Sequence, residues 1–501
     1  MRKAICSPAP GGGGGGRVLA ALGTIALLAP SAFAAAPTVV AIRNAKVVTV
    51  SGPVLAKATV VVRDGLIEAV GENAAVPPGA WVVEGEGLTV YPGLMSALST
   101  WGIPQPAPAA GGAAGALAAL TRGGGAPTTP GAPAPPPARG PEDRPATTSW
   151  QRAADLIQMS DRRLETARSA GFTASATFPA RGIFTGHGSV ISLAGASTGA
   201  MVLADSAGLF TTTQTAGFSN FPGSLMGVIA YIRQVYLDLE HYQMTKADYD
   251  KNPLGKKRPA YDRALEGVAA APRVLLPAVN AVQIDRMLRL AGDLKVKPVL
   301  YGAHEAYKAA ALIQKSGAPV LVNVSWPERE RDADPDLEET LDVLELRELA
   351  PSSPAALAKA GVKFAFYAND NAQPRDILRN VKKAIDAGLP FDQAVRALTL
   401  SPAEIYGVSD RVGSVEKGKI ANLLVTKGDL FQDATRVEFV LIDGKRFDPA
   451  PELPGAGNPF AAAPTMEELM DLWLHLFDAH EEASGCNHGD AGSHAPRGVI
   501  Q

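Results

Sequence analysis

The chain has 501 residues, 46% of them apolar, and a formal net charge of only −3. That length suffices for a full core and suggests about three units of ~150 residues. Lacking a clustered Lys/Arg surplus, it does not read as a nucleic-acid binder. With only Cys6 and Cys486 it is no disulfide scaffold either.

Residues 1–34 read as a secretory signal. Arg2, Lys3 and Arg17 carry positive charge, residues 18–28 are a short apolar run, and Ala32-Phe33-Ala34 gives a small-x-small cleavage pattern. The run is shorter than the ~20 residues of a membrane-spanning helix. The mature chain is therefore expected to be exported, periplasmic or secreted, with no integral membrane segment. Cys6 leaves with the signal, so Cys486 stands alone and no internal disulfide forms.

Two extended runs follow, at 39–50 (VVAIRNAKVVTV) and 58–70 (ATVVVRDGLIEAV), with Asp64-Gly65 as a hairpin turn signal. Shorter runs at 81–84 and 88–94 come next. The same grammar returns at 421–426 (ANLLVT), 437–442 (VEFVLI), Asp443-Gly444 and 445–447. Segments 37–88 and 406–449 are expected to complete one small sheet domain, with 89–405 inserted between them. Within that insertion, residues 104–146 are a low-complexity run of Gly, Ala, Pro and Thr, which reads as a disordered excursion rather than a lid.

The middle of the chain alternates strand-length apolar runs with helical patterns. The runs lie at 173–178, 201–204, 273–279, 298–301, 319–324 and 362–367, and the helical patterns at 225–239, 282–294, 305–315, 375–387 and 391–400. Such alternation predicts parallel βα units. It does not by itself separate a barrel from an open doubly wound sheet. His187, inside Phe184-Thr185-Gly186-His187-Gly188-Ser189, reads as part of a glycine-flanked turn, and His241 as a surface or core histidine. No Ser/His/Asp set follows from spacing.

In residues 450–501, Met466, Leu469, Met470, Trp473 and Phe477 recur at helical spacing, predicting an amphipathic helix before a disordered tail. His475, His480, Cys486, His488 and His494 are ligand types that bind transition metals, but their spacing matches no closed zinc motif.

Three segments carry a family likeness. Residues 66–71 (LIEAVG) with Val90-Tyr91-Pro92-Gly93-Leu94 resemble the opening of amidohydrolase-superfamily enzymes. Ala397-Leu398-Thr399, Ser401-Pro402-Ala403 and 413–419 (GSVEKGK) resemble their closing signature. Residues 284–324 between them are similar to the imidazolonepropionase-like branch. The resemblance covers residues 40–447. It implies a TIM (β/α)8-type barrel with a small composite β-sandwich from the N- and C-terminal segments. It also implies a hydrolase acting on carbon–nitrogen bonds of non-peptide cyclic or linear amides.

In that family the strand after Pro-Gly-Leu ends in two histidines one residue apart, whose side chains reach one metal. Here Leu98 and Thr100 stand at those positions; leucine cannot ligate, and a neutral threonine hydroxyl is a poor substitute. Asn280 is the nearest match to a further histidine position, so Leu98, Thr100 and Asn280 mark lost ligands. His304 matches the next position, either as a ligand or as a helix cap. Asp370 matches the aspartate that binds metal and takes a proton from the attacking water, or else caps the helix before Pro374. The implied cofactor is one divalent, zinc-like ion held by His304 and Asp370, or none. Two functions follow: a hydrolase with a reduced or absent metal site and Asp370 as catalytic base, or a catalytically inactive barrel that binds a ligand or partners an active relative. The expected partners are a small-molecule substrate or ligand and a second copy or active relative.

Overall fold

The computed structural model describes residues 39–104, 141–215, 221–329, 334, 338–432 and 434–449. The predicted signal at 1–34, nearly all of the low-complexity run, and the C-terminal helix with its His/Cys cluster lie outside the described residues.

β-branched runs interrupted by Asp-Gly turns build the first sheet. β1 (Val39–Val47) pairs antiparallel with β2 (Leu55–Arg63), and β2 with β3 (Leu66–Gly71). The turn between β2 and β3 is Asp64-Gly65, with φ of 49° and 82°, a left-handed pair suited to a tight hairpin. β4 (Trp81–Glu84) runs parallel to β1, and β5 (Leu88–Pro92) lies beside the end of β1. Past a second eight-stranded sheet, β14 (Leu423–Lys427) pairs with β5, then with β15 (Arg436–Ile442), which turns at Asp443-Gly444 into β16 (Lys445–Phe447). The two ends of the described chain therefore share one sheet, cored by Ile42, Val60, Val90, Leu423, Phe439 and Leu441.

Gly93 carries the chain from β5 into the second sheet, and a Cβ there would sit 2.0 Å from Thr173 Oγ1, so only glycine fits. The strands follow in chain order: β6 (Leu94–Ser99), β7 (Phe172–Thr177), β8 (Phe184–Ser192), β9 (Val202–Thr211), β10 (Val274–Ala278), β11 (Pro298–Gly302), β12 (Val320–Asn323) and β13 (Phe364–Tyr367). β13 returns beside β6, giving a nearly closed barrel. Three bonds close the seam or brace it. Thr100 N donates to Asp370 Oδ1 (3.1 Å), Met95 N to the Leu398 carbonyl (2.7 Å), and Tyr406 Oη to the Ala97 carbonyl (2.6 Å).

Seven of these strands are mutually parallel, and β8 is antiparallel to both neighbours. Two sequence expectations are corrected here. Residues 184–189 open a nine-residue buried strand rather than a turn, and the run at 201–204 leads into a ten-residue one. The glycines that suggest a turn serve packing instead: a Cβ on Gly188 would lie 2.1 Å from the Phe178 ring. The helix expected at 225–239 continues to Lys251. No helix among the described residues is long and apolar enough to cross a membrane.

Inward-facing side chains fill the barrel. Leu98, Phe178, Phe210, Leu275, Tyr301, Tyr367 and Tyr406 belong to one apolar cluster. Phe178 stacks at 5.5 Å from Phe210 and 6.1 Å from Tyr406, and Phe210 at 5.1 Å from Tyr301.

Candidate functional site at the barrel mouth

Parallel strands bring their C-terminal ends to one rim, which is where barrel enzymes carry their chemistry. Thr100 follows the end of β6 there, His304 lies just past β11, Asn323 ends β12, and Asn369 and Asp370 lie just past β13.

Asp370 is exposed, and its Oδ1 accepts from the Thr100 amide. It does not cap the helix Pro374–Asp386, whose first turn has no side-chain cap. Thr100 is buried, and its hydroxyl accepts from Arg163 Nη1 at 2.7 Å. Arg163 Nη2 also donates to the Thr100 and Ile103 carbonyls (2.9 and 2.6 Å) and pairs with Asp161 (2.8 Å). Asp161 in turn accepts from the amides of Gly102 and Arg163, each at 2.9 Å. Burial pushes the Asp161 carboxyl up, but the Arg163 contacts and these amides outweigh it and leave its pKa below the ordinary carboxylate value.

His304 is half-buried, with Nε2 on the Asn323 carbonyl at 3.1 Å. It does not cap the adjacent helix Ala306–Ser316, where Glu305 holds the N-cap position without a side-chain bond. Burial lowers the His304 pKa, partly offset by that carbonyl, so the ring favours its neutral form. Asn323 Nδ2 donates to Asn369 Oδ1 (2.8 Å), tying β12 to β13. Beneath these groups burial raises the Tyr367 phenol, with the Asp370 charge adding to the shift.

The remaining candidates point elsewhere. Asn280, read from the sequence as a lost ligand position, caps the helix Ala281–Asp293 by accepting from Gln283 N at 2.9 Å. Leu98 is buried in the barrel cluster. His187 lies buried on β8, with Nδ1 on Ser206 Oγ (3.0 Å) and Nε2 on the Gly267 carbonyl (2.8 Å), a strand-to-helix tie. His241 is exposed on the helix Leu225–Lys251.

These donors do not fit a divalent ion. Leu98 offers none, the Thr100 hydroxyl already meets a cationic guanidinium, and His304 Nε2 is engaged with a backbone carbonyl. Among the described residues no three His, Cys, Asp or Glu side chains lie close enough to hold a metal. Arg163, Asp161, Asn323 and Asn369 escape the sequence reading. Asp161-Arg162-Arg163 carries no motif, and only the fold brings Arg163 to residue 100.

Residues 340–447, which include β13, Asp370 and the closing strands, match the amidohydrolase family. Through this segment the chain is similar to amidohydrolase-superfamily proteins. The fold is similar to that of a solved amidohydrolase from Thermotoga maritima MSB8, which aligns with a TM-score of 0.66. That alignment covers 82% of this chain and all of the other, at 24% identity. The expected barrel with a composite sheet is thereby borne out. Over 63 residues the chain is 44% identical to an N-acetylglucosamine-6-phosphate deacetylase from Haemophilus influenzae (12% of this chain, 16% of that protein). Over 87 residues it is 31% identical to an adenine deaminase from Moorella thermoacetica (16% of this chain, 14% of that protein). The chain thus spans only about a sixth of the length of the curated relatives it matches.

Proposed function

We propose that this barrel is an amidohydrolase-superfamily hydrolase of non-peptide carbon–nitrogen bonds, acting on a small cyclic or linear amide at the rim with a reduced or absent metal site. The observation that carries this reading is Asp370. It sits exposed at the end of the last barrel strand, inside the family-matched segment, with one carboxylate oxygen on the Thr100 amide. Its other oxygen has no partner among the described residues. A carboxylate so placed takes a proton from water as the water oxygen bonds to the amide carbon; the C–N bond then breaks and the nitrogen leaves protonated. General-base action of this kind is worth about 10²–10⁴-fold. The reading includes the imidazolonepropionase-like branch, supported by residues 284–324. It also includes export, supported by the basic, apolar and Ala-Phe-Ala features of residues 1–34.

The packed interior favours a second reading, in which the barrel is a non-catalytic binding or partner subunit. Turnover of an amide and lactam panel by wild type and Asp370→Asn, with elemental analysis of the untagged protein, decides between them. A fall of about 100-fold or more in Asp370→Asn supports the hydrolase. Undiminished activity in that variant removes Asp370 from the chemistry. A folded, metal-free wild type with no turnover leaves the partner reading.

A further inference from the structure

The mouth contains a resident cation that the proposed reaction does not itself require. Arg163 stands in the first turn of the helix Arg162–Ser169, whose N-cap is Asp161. Its fork spans four acceptors: the Thr100 hydroxyl, the Thr100 carbonyl, the Ile103 carbonyl and the Asp161 carboxylate. Asp161 also takes the Gly102 amide, so the pair grips both the carbonyls and an N–H of the turn that follows β6. Gly102 holds φ of 84°, and Trp101 is buried edge-on against Phe172 at 5.3 Å, which fixes the turn from its other side. From this clamped turn the Thr100 amide reaches across the barrel seam to Asp370, 270 residues further along the chain. Each atom of the relay is engaged: guanidinium to turn, turn to amide, amide to carboxylate.

We infer that Arg163 is the positioning residue of the mouth: its guanidinium fixes the Thr100–Ile103 turn so that the Thr100 amide holds Asp370 at the rim. The geometry selects arginine over lysine. A planar fork satisfies a hydroxyl, two carbonyls and a carboxylate together, whereas an ammonium is a single point with three donors. The same charge makes the turn unfavourable for a second cation, consistent with the poor fit of a divalent ion there. The inference places Asp370 at the site proposed above and rests on that reading for its purpose, but the bonds can be tested without any turnover.

The Thr100 amide reports the relay directly, because its exchange with solvent is slowed by the bond to Asp370. Residue-resolved hydrogen exchange on the full chain should show Thr100 exchanging about tenfold faster or more in Arg163→Gln, a factor of ten being about 1.4 kcal/mol. Asp370→Ala, which removes the acceptor, should give the same loss. Arg163→Lys should not rescue it. The Asp370 Cγ resonance of aspartate-labelled protein should move in Arg163→Gln while aspartates of the composite sheet stay put, a response that general loosening of the fold would not give. Where Arg163→Gln does not fold, Asp161→Asn loosens the guanidinium and should produce both changes in smaller measure. A folded variant with Thr100 exchange and the Asp370 signal unchanged overturns the inference. Absence of amide turnover in wild type defeats the proposed hydrolase and leaves this result standing.

Discussion

Gly188→Ala tests whether the barrel is a filled core or a space that a ligand could enter. Gly188 lies in the extended strand β8, where alanine meets no backbone penalty, so the effect comes from contact alone. The new Cβ would stand 2.1, 2.2 and 2.5 Å from Cε1, Cδ1 and Cζ of Phe178. The ring has little room to retreat, since Phe210 lies at 5.5 Å and Tyr406 at 6.1 Å, and Tyr406 is tethered to the Ala97 carbonyl. Overpacking of this kind costs about 1–3 kcal/mol. Phe178→Leu alone leaves a cavity and should cost less than the ~3–5 kcal/mol of a Phe→Ala change. In that background Gly188→Ala should become nearly neutral, a coupling of about 0.5–3 kcal/mol. Urea unfolding of the four proteins, followed by midpoint and slope, measures the cycle. A Gly188→Ala cost below about 0.5 kcal/mol, or one that persists unchanged in the Phe178→Leu background, would mean that the ring leaves its place easily. The interior would then be open to a ligand and the filled-core description wrong.

Two further predictions follow from single residues. Burial lowers the pKa of both His187 and His304 below 6.5. The unfolded chain therefore takes up these protons first as pH falls, so their contribution is intact above pH ~6.5 and is lost on further acidification. The urea midpoint should drop between pH ~7 and ~5, with a shallower drop in His187→Gln. Carboxylates held low by their partners, such as Glu404 against Lys363 and Arg396, lose their contribution only below about pH 4.5. An equal acid drop in His187→Gln would assign the effect elsewhere. Asn280→Ala should cost about 0.5–2 kcal/mol through loss of the helix cap while leaving any amide turnover unchanged. A turnover loss without a stability loss would instead place Asn280 in the site.

Local chemistry made much of the fold legible. Asp64-Gly65 and Asp443-Gly444 specify tight hairpins from the dipeptide alone, and the β-branched runs around them can do little but pair. β8 was opaque because Gly186 and Gly188 have the signature of a turn, whereas their cause lies outside the segment: Phe178 needs the space above residue 188. The rim was half legible. Family resemblance points to residues 98, 100, 304 and 370, but the partner of each is set by strand register or by long-range contact. His304 meets Asn323 because β11 and β12 are neighbours, and Asp370 meets Thr100 because the barrel closes. Asn280 had a local explanation as a cap, which spacing against a family ligand position concealed.

The layer of rings also limits where an amide could react. Carrying a carbonyl down among Phe178, Phe210 and Tyr406 would strip it of water with few donors to replace it, a cost of about 2–7 kcal/mol. Tyr301 does not relieve this, because its hydroxyl already donates to the Thr211 carbonyl at 2.9 Å. A polar substrate is therefore confined to the rim above that layer, where Asp370, Asn323 and Asn369 supply polar groups. Confinement to the rim makes the seam between β6 and β13 the critical element, since Asp370 is part of it. That seam is held by the Thr100 amide, the Met95 amide and the Tyr406 hydroxyl, each bonded to a group near the far strand or the helices behind it. These are bonds within the chain, so closure of the barrel and the placement of Asp370 need no bound ion or ligand.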